Sequence, residues 1–185
     1  MNVFVPKEVS DGETRVAATP ETVAHMIKAG LTVSVQSGAG AAAGFLDPAY
    51  TEAGATVGDD VKALYGAADF VVKVNPPEPE ETELLTQGTV LVTFLYPALN
   101  ADLVKRLAER DVTAFAMDMV PRITRAQKMD ALSSQSNIAG YKAVLMAAVA
   151  LDNIFPLLMT AAGTIRPAYV VILGAGLLLN LPIVV

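Results

Sequence analysis

Short apolar runs alternate with helical stretches from Asn2 to Met117, and few folds can absorb that pattern. Asn2–Val5, Thr32–Gln36, Phe70–Val74, Thr89–Phe94 and Thr113–Met117 read as strands. Between them, Thr19 caps a helix with Pro20 at its first position and Gly30 just past its end. Asp47-Pro48 opens a shorter helix that closes near Gly54. Further helices are expected over Asp59–Ala67, Glu80–Thr86 and, capped by Asn100, the amphipathic Ala101–Arg110. A strand that is followed by a helix must cross back over its sheet, and such crossovers make neighbouring strands parallel. The expected fold is therefore α/β, a parallel sheet with helices on both faces. Beyond it, Ser136–Ala150 reads as a long alanine-rich helix that could join two domains. Ile154–Thr160 reads as a further helical turn or two, and Tyr169–Leu173 as a new strand.

Composition narrows the chemistry. Hydrophobic residues make up 53% and charged residues 17%, so a sizeable core is expected and disorder is not. A net charge of −6 argues against a nucleic-acid partner, whose phosphates need a basic face. The absence of cysteine excludes disulfides and thiol chemistry, and a single histidine, His25 on the first helix, leaves no histidine–cysteine metal site. The start, M-N-V-F-V-P-K-E, has no secretory pattern. No residue from Ala168 to Val185 is charged. Pro182, Asn180 and the Gly174–Gly176 pair argue for a buried parallel strand and an aborted helix there rather than a membrane span.

Two glycine-rich stretches and one polar stretch are candidates for function. Ser37-Gly38-Ala39-Gly40-Ala41-Ala42-Ala43-Gly44 follows a strand, but its spacing is not that of a phosphate loop, and it reads as a structural turn. Val171-Ile172-Leu173-Gly174-Ala175-Gly176 has the strand context of a dinucleotide fingerprint. Leu179 stands where a small residue is wanted, Pro182 comes early in the intended helix, and the sequence stops before the acidic residue expected about 20 positions on, so only half of a fingerprint is present. The polar stretch is V-P-R-I-T-R-A-Q-K-M-D-A-L-S-S-Q-S-N-I-A-G-Y, Val120 to Tyr141. It gathers arginines, glutamine, aspartate and serines in a chain otherwise poor in such groups, which on chemistry alone reads either as a solvated loop or as a holder for a ligand with several donors and acceptors; the apolar helical stretch that follows it and the later strand and Gly-Ala-Gly favour the second.

These motifs carry a resemblance. V-P-K-E-V-S-D-G-E-T-R-V-A-A-T-P-E-T-V, S-G-A-G-A-A-A-G-F-L-D-P-A-Y-T-E-A-G-A, V-V-K-V-N-P-P, M-D-M-V-P-R-I-T-R-A-Q-K-M-D-A-L-S-S-Q-S-N-I-A-G-Y-K-A-V and M-T-A-A-G-T-I-R-P-A-Y-V-V-I-L-G-A-G, spread over residues 1–176, resemble the N-terminal region of the alanine dehydrogenase and pyridine-nucleotide transhydrogenase family. The resemblance implies a Rossmann-like sheet over residues 1–135. It implies that 136–185 hold a linking helix and the first strand and glycine turn of an incomplete NAD-binding domain. Alanine dehydrogenases are expected to carry a catalytic histidine after the strand ending at Phe94, where this chain has Tyr96-Pro97. An imidazole exchanges protons near neutrality, and a phenol with a pKa of ~10 does so poorly. Tyr-Pro resembles the transhydrogenase branch, whose hydride exchange needs proximity and orientation and no acid or base.

The implied function is that of the NAD(H)-binding component of a proton-translocating NAD(P) transhydrogenase. Its partners would be an NADP(H)-binding component and a membrane component, and it would form a homodimer. It would be cytoplasmic, peripheral at the inner membrane through its partner subunit. Carried over by position, Arg122, Gln127, Asp130 and Ser133 match the catalytic loop that orients nicotinamide and ribose. Lys128 and Met129 line the same loop mainly through backbone, and Gly174, Ala175 and Gly176 match the start of the pyrophosphate turn. Arg122 and Asp130 can pair with each other or with the cofactor. Arg15 and Lys73 match carboxylate-binding positions of alanine dehydrogenases and in this branch read as structural. No metal is implied. The pattern departs from the family at Leu177, so residues 1–185 alone are expected to bind NADH weakly or not at all and to associate through the exposed apolar tail. The alternatives are a non-catalytic family member acting as a dimerising partner and, less well supported, an alanine dehydrogenase.

Overall fold

The structure is a computed structural model that describes residues 1–172. It divides into two compact units, Met1–Pro121 and a second beginning at Arg122.

The first unit is a six-stranded sheet. Its strands are β1 (Asn2–Val5), β2 (Thr32–Gln36), β3 (Thr56–Gly58), β4 (Phe70–Val72), β5 (Val90–Thr93) and β6 (Thr113–Ala116), in the spatial order β3-β2-β1-β4-β5-β6. Every pairing is parallel, with Val3 opposite Val33 on one side and Phe70 on the other. The helices between them are α1 (Pro20–Lys28), α2 (Asp47–Glu52), α3 (Val61–Gly66), α4 (Pro79–Leu84) and α5 (Ala101–Glu109). Their starts follow local chemistry. The Thr19 hydroxyl accepts from the Thr22 N–H ahead of Pro20, Asp60 accepts from the Ala63 N–H, and Glu78 and Glu81 form a reciprocal capping box on α4.

The period-two alternation of the strands splits the core into two. Val3 and Val5 point into a cluster with Val33, Val35, Val23 of α1 and Tyr50 of α2. Phe4, between them, points the other way, into a cluster with Val71, Leu91, Tyr65 of α3 and Leu107 of α5. Helices therefore cover both faces, as the sequence pattern required. Phe4 and Tyr65 meet edge to face at 5.0 Å. Each fully buried valine or phenylalanine stabilises by about 1.5–3 kcal/mol, which makes this unit the seat of the chain's stability.

The second unit has α6 (Ala131–Ala150) and an antiparallel hairpin of β7 (Leu158–Thr160) and β8 (Gly163–Ile165). Three sequence expectations change here. The helix starts at Ala131 rather than Ser136, because Asp130 caps it. Residues expected as helical turns at Ile154–Thr160 instead end in β7, since the two-residue link Ala161-Ala162 lets Thr160 pair with Gly163, whose φ of 134° only glycine adopts freely. Residues 169–172, expected to open a strand, carry no ladder among the described residues, and a strand exists only through pairing. Leu173 and the turn Gly174-Ala175-Gly176 lie outside the described residues. In the first unit, β3 is an addition to the expected elements, too short for its period to show.

Gly40 is where the first unit is least tolerant of a side chain. A Cβ there would stand 2.6 Å from the Tyr50 hydroxyl and 2.7 Å from the Phe45 carbonyl oxygen. At Gly58 the nearest atom is a Leu64 methyl at 3.6 Å. Gly40→Ala is expected to lower unfolding free energy by about 1–3 kcal/mol and Gly58→Ala to be near neutral. Chemical denaturation of the pair checks this, and equal midpoints would contradict it.

Candidate functional site

From β1 the chain winds outward to β2 and β3, and from β4 it winds the other way to β5 and β6. The carboxyl ends of β1 and β4 therefore flank the point where the strand order reverses, the usual place for a binding crevice in such sheets. Charged residues converge there. Lys73, directly after β4, has a side chain 1% exposed, with its Nζ 2.5 Å from Glu81 Oε1 and 3.6 Å from Glu8 Oε2. Glu8 also accepts from the N–H groups of Val74 (2.6 Å) and Asn75 (3.3 Å). Glu81 accepts from the Tyr65 hydroxyl (3.2 Å) and the Glu78 N–H (2.9 Å). Burial, reinforced by the Glu81 charge, pushes the Tyr65 hydroxyl far above its ordinary range, so it stays a donor. This network fixes Lys73 as a structural cation.

Beside it, Arg15 donates to Glu13 through Nε (2.8 Å), a terminal nitrogen (2.6 Å) and its backbone N–H (2.9 Å). Asn75 adds a fourth donor to Glu13 at 2.9 Å. The Arg15 hydrogen bonds hold the Glu13 carboxyl at about 2, well below its ordinary 4.5. Glu13 and Asn75 line a cleft of about 660 Å³ together with Pro77, Asn100, Asp102 and Arg106.

The first glycine loop is a structural turn. Its Gly38 N–H and Ser37 hydroxyl both donate to Asp47, at 2.8 Å each, which also holds the Asp47 carboxyl below its usual range. The loop's anion is its own side chain, so no phosphate is needed to satisfy it.

In the second unit, the polar stretch forms a 3₁₀ turn over Thr124–Met129 that runs into α6. Asp130 is buried and caps the helix, accepting from the Ser133 N–H (2.9 Å) and hydroxyl (2.5 Å). Those two bonds, with the nearby Arg122 guanidinium, hold the Asp130 carboxyl below its usual range. The structure thus brings Asp130, Ser133 and Arg122 together. Arg122, Gln127, Lys128 and Met129 are exposed, and the Gln127 side chain hydrogen-bonds to none of the described residues. The turn presents donors and acceptors outward from a base that the cap holds rigid. Such a surface suits a carboxamide or a ribose hydroxyl.

Sequence reasoning missed Glu8 and Glu81 as Lys73's partners. The one available signal was the capping-box spacing of Glu78 and Glu81. Along α6, Ile138, Tyr141, Leu145, Met146 and Val149 are exposed, yet no described helix is long and apolar enough to cross a membrane.

Comparison with known proteins gives a consistent picture. Residues 4–139 match the family model described as alanine dehydrogenase/PNT, N-terminal domain. Over 176 residues the chain is 48% identical to NAD(P) transhydrogenase subunit alpha of Cereibacter sphaeroides, which takes in 95% of this chain and 34% of that protein. The crystal structure of transhydrogenase from Sinorhizobium meliloti superposes with a TM-score of 0.86 at 41% identity, covering 91% of this chain and 50% of that one. An alanine dehydrogenase from Bacillus subtilis is more distant, 37% identical over 153 residues, 83% of this chain and 39% of that protein. The chain spans half or less of the length of these relatives.

Two measurements test the electrostatics of the first unit. Lys73→Met strands two buried carboxylates and is expected to destabilise by about 3–5 kcal/mol, with part recovered when Glu81→Gln is added. A loss under about 1 kcal/mol would show the network to be solvated. Glu13 binds its proton less readily folded than unfolded, so its contribution is complete above pH 4.5 and disappears as pH falls through about 2. The stability gap between the parent protein and Glu13→Gln should close over that window, and a gap constant from pH 6 to 2 would refute the assignment.

Proposed function

The chain belongs to the alanine dehydrogenase/PNT family, and from that premise we propose that it is the NAD(H)-binding component of a proton-translocating NAD(P) transhydrogenase. In this reading residues 1–135 form the N-terminal domain and the residues from 136 on begin the NAD-binding domain. Partners are an NADP(H)-binding component and a membrane component. The chain acts as a homodimer and sits peripherally, on the cytoplasmic side of the inner membrane, through its partner subunit.

One observation carries the reading: an exposed Gln127, with Arg122 nearby, stands on a turn locked by the Asp130–Ser133 cap. Bound NADH supplies a hydride at the ring carbon opposite its nitrogen, and NADP⁺ on the partner accepts it. No proton is exchanged at that carbon, so the chain's own residues have only to bind and orient. Gln127 can donate and accept at once, which suits a carboxamide. The half-buried Ser133 hydroxyl, its proton donated to the buried Asp130, offers the ribose an acceptor oxygen, and Lys128 and Met129 offer backbone groups. Arg122 balances the Asp130 charge so that the turn is not repulsive to a nucleotide. Tyr96, three residues beyond β5, stands where a catalytic histidine is expected in alanine dehydrogenases, which supports the transhydrogenase branch.

The test is hydride transfer from NADH to an NADP⁺ analogue by the full-length natural protein after adding the NADP-binding component. Gln127 carries no structural hydrogen bond through its side chain, so Gln127→Ala should leave Tm unchanged and slow transfer at least about tenfold. Transfer at the parental rate would remove the polar turn from the reaction. Absence of transfer in the parent protein, with dimerisation intact, would favour the non-catalytic partner reading.

A further inference from the structure

Charge is divided unevenly along the chain. Residues 1–121 hold 8 lysines and arginines against 17 aspartates and glutamates, whereas residues 122–185 hold 5 against 2. An acidic chain thus carries a second unit with a positive excess. Three of that unit's five cations, Arg122, Arg125 and Lys128, fall within seven residues of the polar turn. The turn's one carboxylate, Asp130, is buried and bonded to Ser133, with Arg122 nearby. Arg125 and Lys128 are exposed, and neither side chain makes a hydrogen bond or ion pair with a described residue. Like charges grouped without counter-charges repel, and an anionic surface brought against them relieves that repulsion.

The same turn is partly apolar on its outside. Ala126 is its buried residue, while Ile123 and Met129 are 54% and 58% exposed. Methionine and arginine are enriched where proteins meet, with apolar contact at the centre and charge setting register and encounter rate. An extended polyanion suits the turn less well. A nucleic acid or a lipid surface spans more than a few residues, and the first unit, joined to the turn at Pro121, repels it with carboxylates that outnumber its cations by nine. A compact acidic patch on one protein meets the turn without that repulsion.

We propose that Arg125, with Ile123 and Met129 on the same turn, docks an acidic patch of the NADP(H)-binding component. Arg125 steers and seats that partner and takes no part in NADH binding or hydride transfer. The proposal rests on the transhydrogenase reading above and adds to it the charge of the partner's contacting face.

Arg125→Glu reverses a charge on the turn, and Lys142→Glu makes the same change in net charge at an exposed position of α6. Titration calorimetry on the full-length natural protein gives the Kd for the NADP(H)-binding component at about 20 mM and about 500 mM salt, and the Kd for NADH. Arg125→Glu is expected to weaken the partner about tenfold at low salt and about twofold at high salt, with NADH affinity and Tm unchanged. Arg125→Gln should fall between it and the parent, and Lys142→Glu should stay within about twofold of the parent. Partner affinity in Arg125→Glu equal to the parent's at low salt overturns the proposal and leaves the transhydrogenase reading intact. Equal weakening by Lys142→Glu also overturns it, since net charge rather than the turn would then be responsible. A parallel loss of NADH affinity in Arg125→Glu overturns the docking role by assigning Arg125 to the cofactor. Binding of the parent to phosphatidylserine vesicles that Arg125→Glu abolishes, with partner affinity unmoved, gives the patch to a lipid surface and overturns the proposal. A parent protein that binds no NADP(H)-binding component overturns the transhydrogenase reading itself, and this inference with it.

Discussion

One buried ammonium holds the carboxyl edge of the sheet together. Lys73 ends β4 at the point where the strand order reverses, and it has no access to water. An isolated charge in that place would be prohibitive, so two carboxylates must meet it. They come from different directions, Glu8 from the segment after β1 and Glu81 from α4, and each brings further obligations. Glu8 ties down the backbone of Val74 and Asn75, and Glu81 ties down the start of α4 and the hydroxyl of α3's Tyr65. An apolar residue at 73 could fill the same volume. It could not fix the directions of two loops and two helices, because dispersion has no preferred direction and hydrogen bonds to charged groups have a strong one.

The edge is therefore rigid where parallel sheets ordinarily bind ligands. Its second layer follows from the first. Asn75, positioned through Glu8, donates to Glu13, and Glu13 in turn holds Arg15. On the far side of β4, Asp118 and Asn100 do for the end of β5 what Glu8 does for the end of β4, using side chains to satisfy backbone groups where the ladder stops. Strand ends leave N–H and C=O groups unpaired, and in this unit neighbouring side chains meet several of them, which leaves a firm surface around a cleft of about 660 Å³.

What could be read in the sequence follows from the range of the forces involved. β1, β2, β5 and α1 were legible because period-two runs, a Thr-Pro start and a glycine stop are local signals. β3 and the β7–β8 hairpin were not, because three residues carry no period and a strand so short exists only by pairing. Lys73 was legible as structural only by analogy: a lysine after an apolar strand reads as a solvated end until its distant carboxylates are in place. The polar stretch was visible as composition. That Asp130 and Ser133 would satisfy each other at a helix start, while Gln127 faced outward, was not, because capping depends on where the helix begins and the expected start lay further on at Ser136.

The two units differ in what stabilises them, and the difference bears on function. The first buries two full layers of side chains against its sheet. In the second, Ala126 and Asp130 are the buried residues among those described, while α6 and its hairpin expose leucine, isoleucine, methionine and tyrosine side chains along their length. A two-stranded hairpin and a lone helix are marginal in water without a covering surface. The polar turn that would meet a nucleotide is attached to this less buried unit, yet its own geometry does not depend on that burial. Asp130 closes the turn onto the first turn of α6 through bonds spanning only a few residues, so the outward face of Gln127 and Arg122 is set locally. In the proposed function the turn meets a second nucleotide on another component, and it would gain from this separation. Its donors keep their arrangement whichever surface comes to cover the apolar helix behind them.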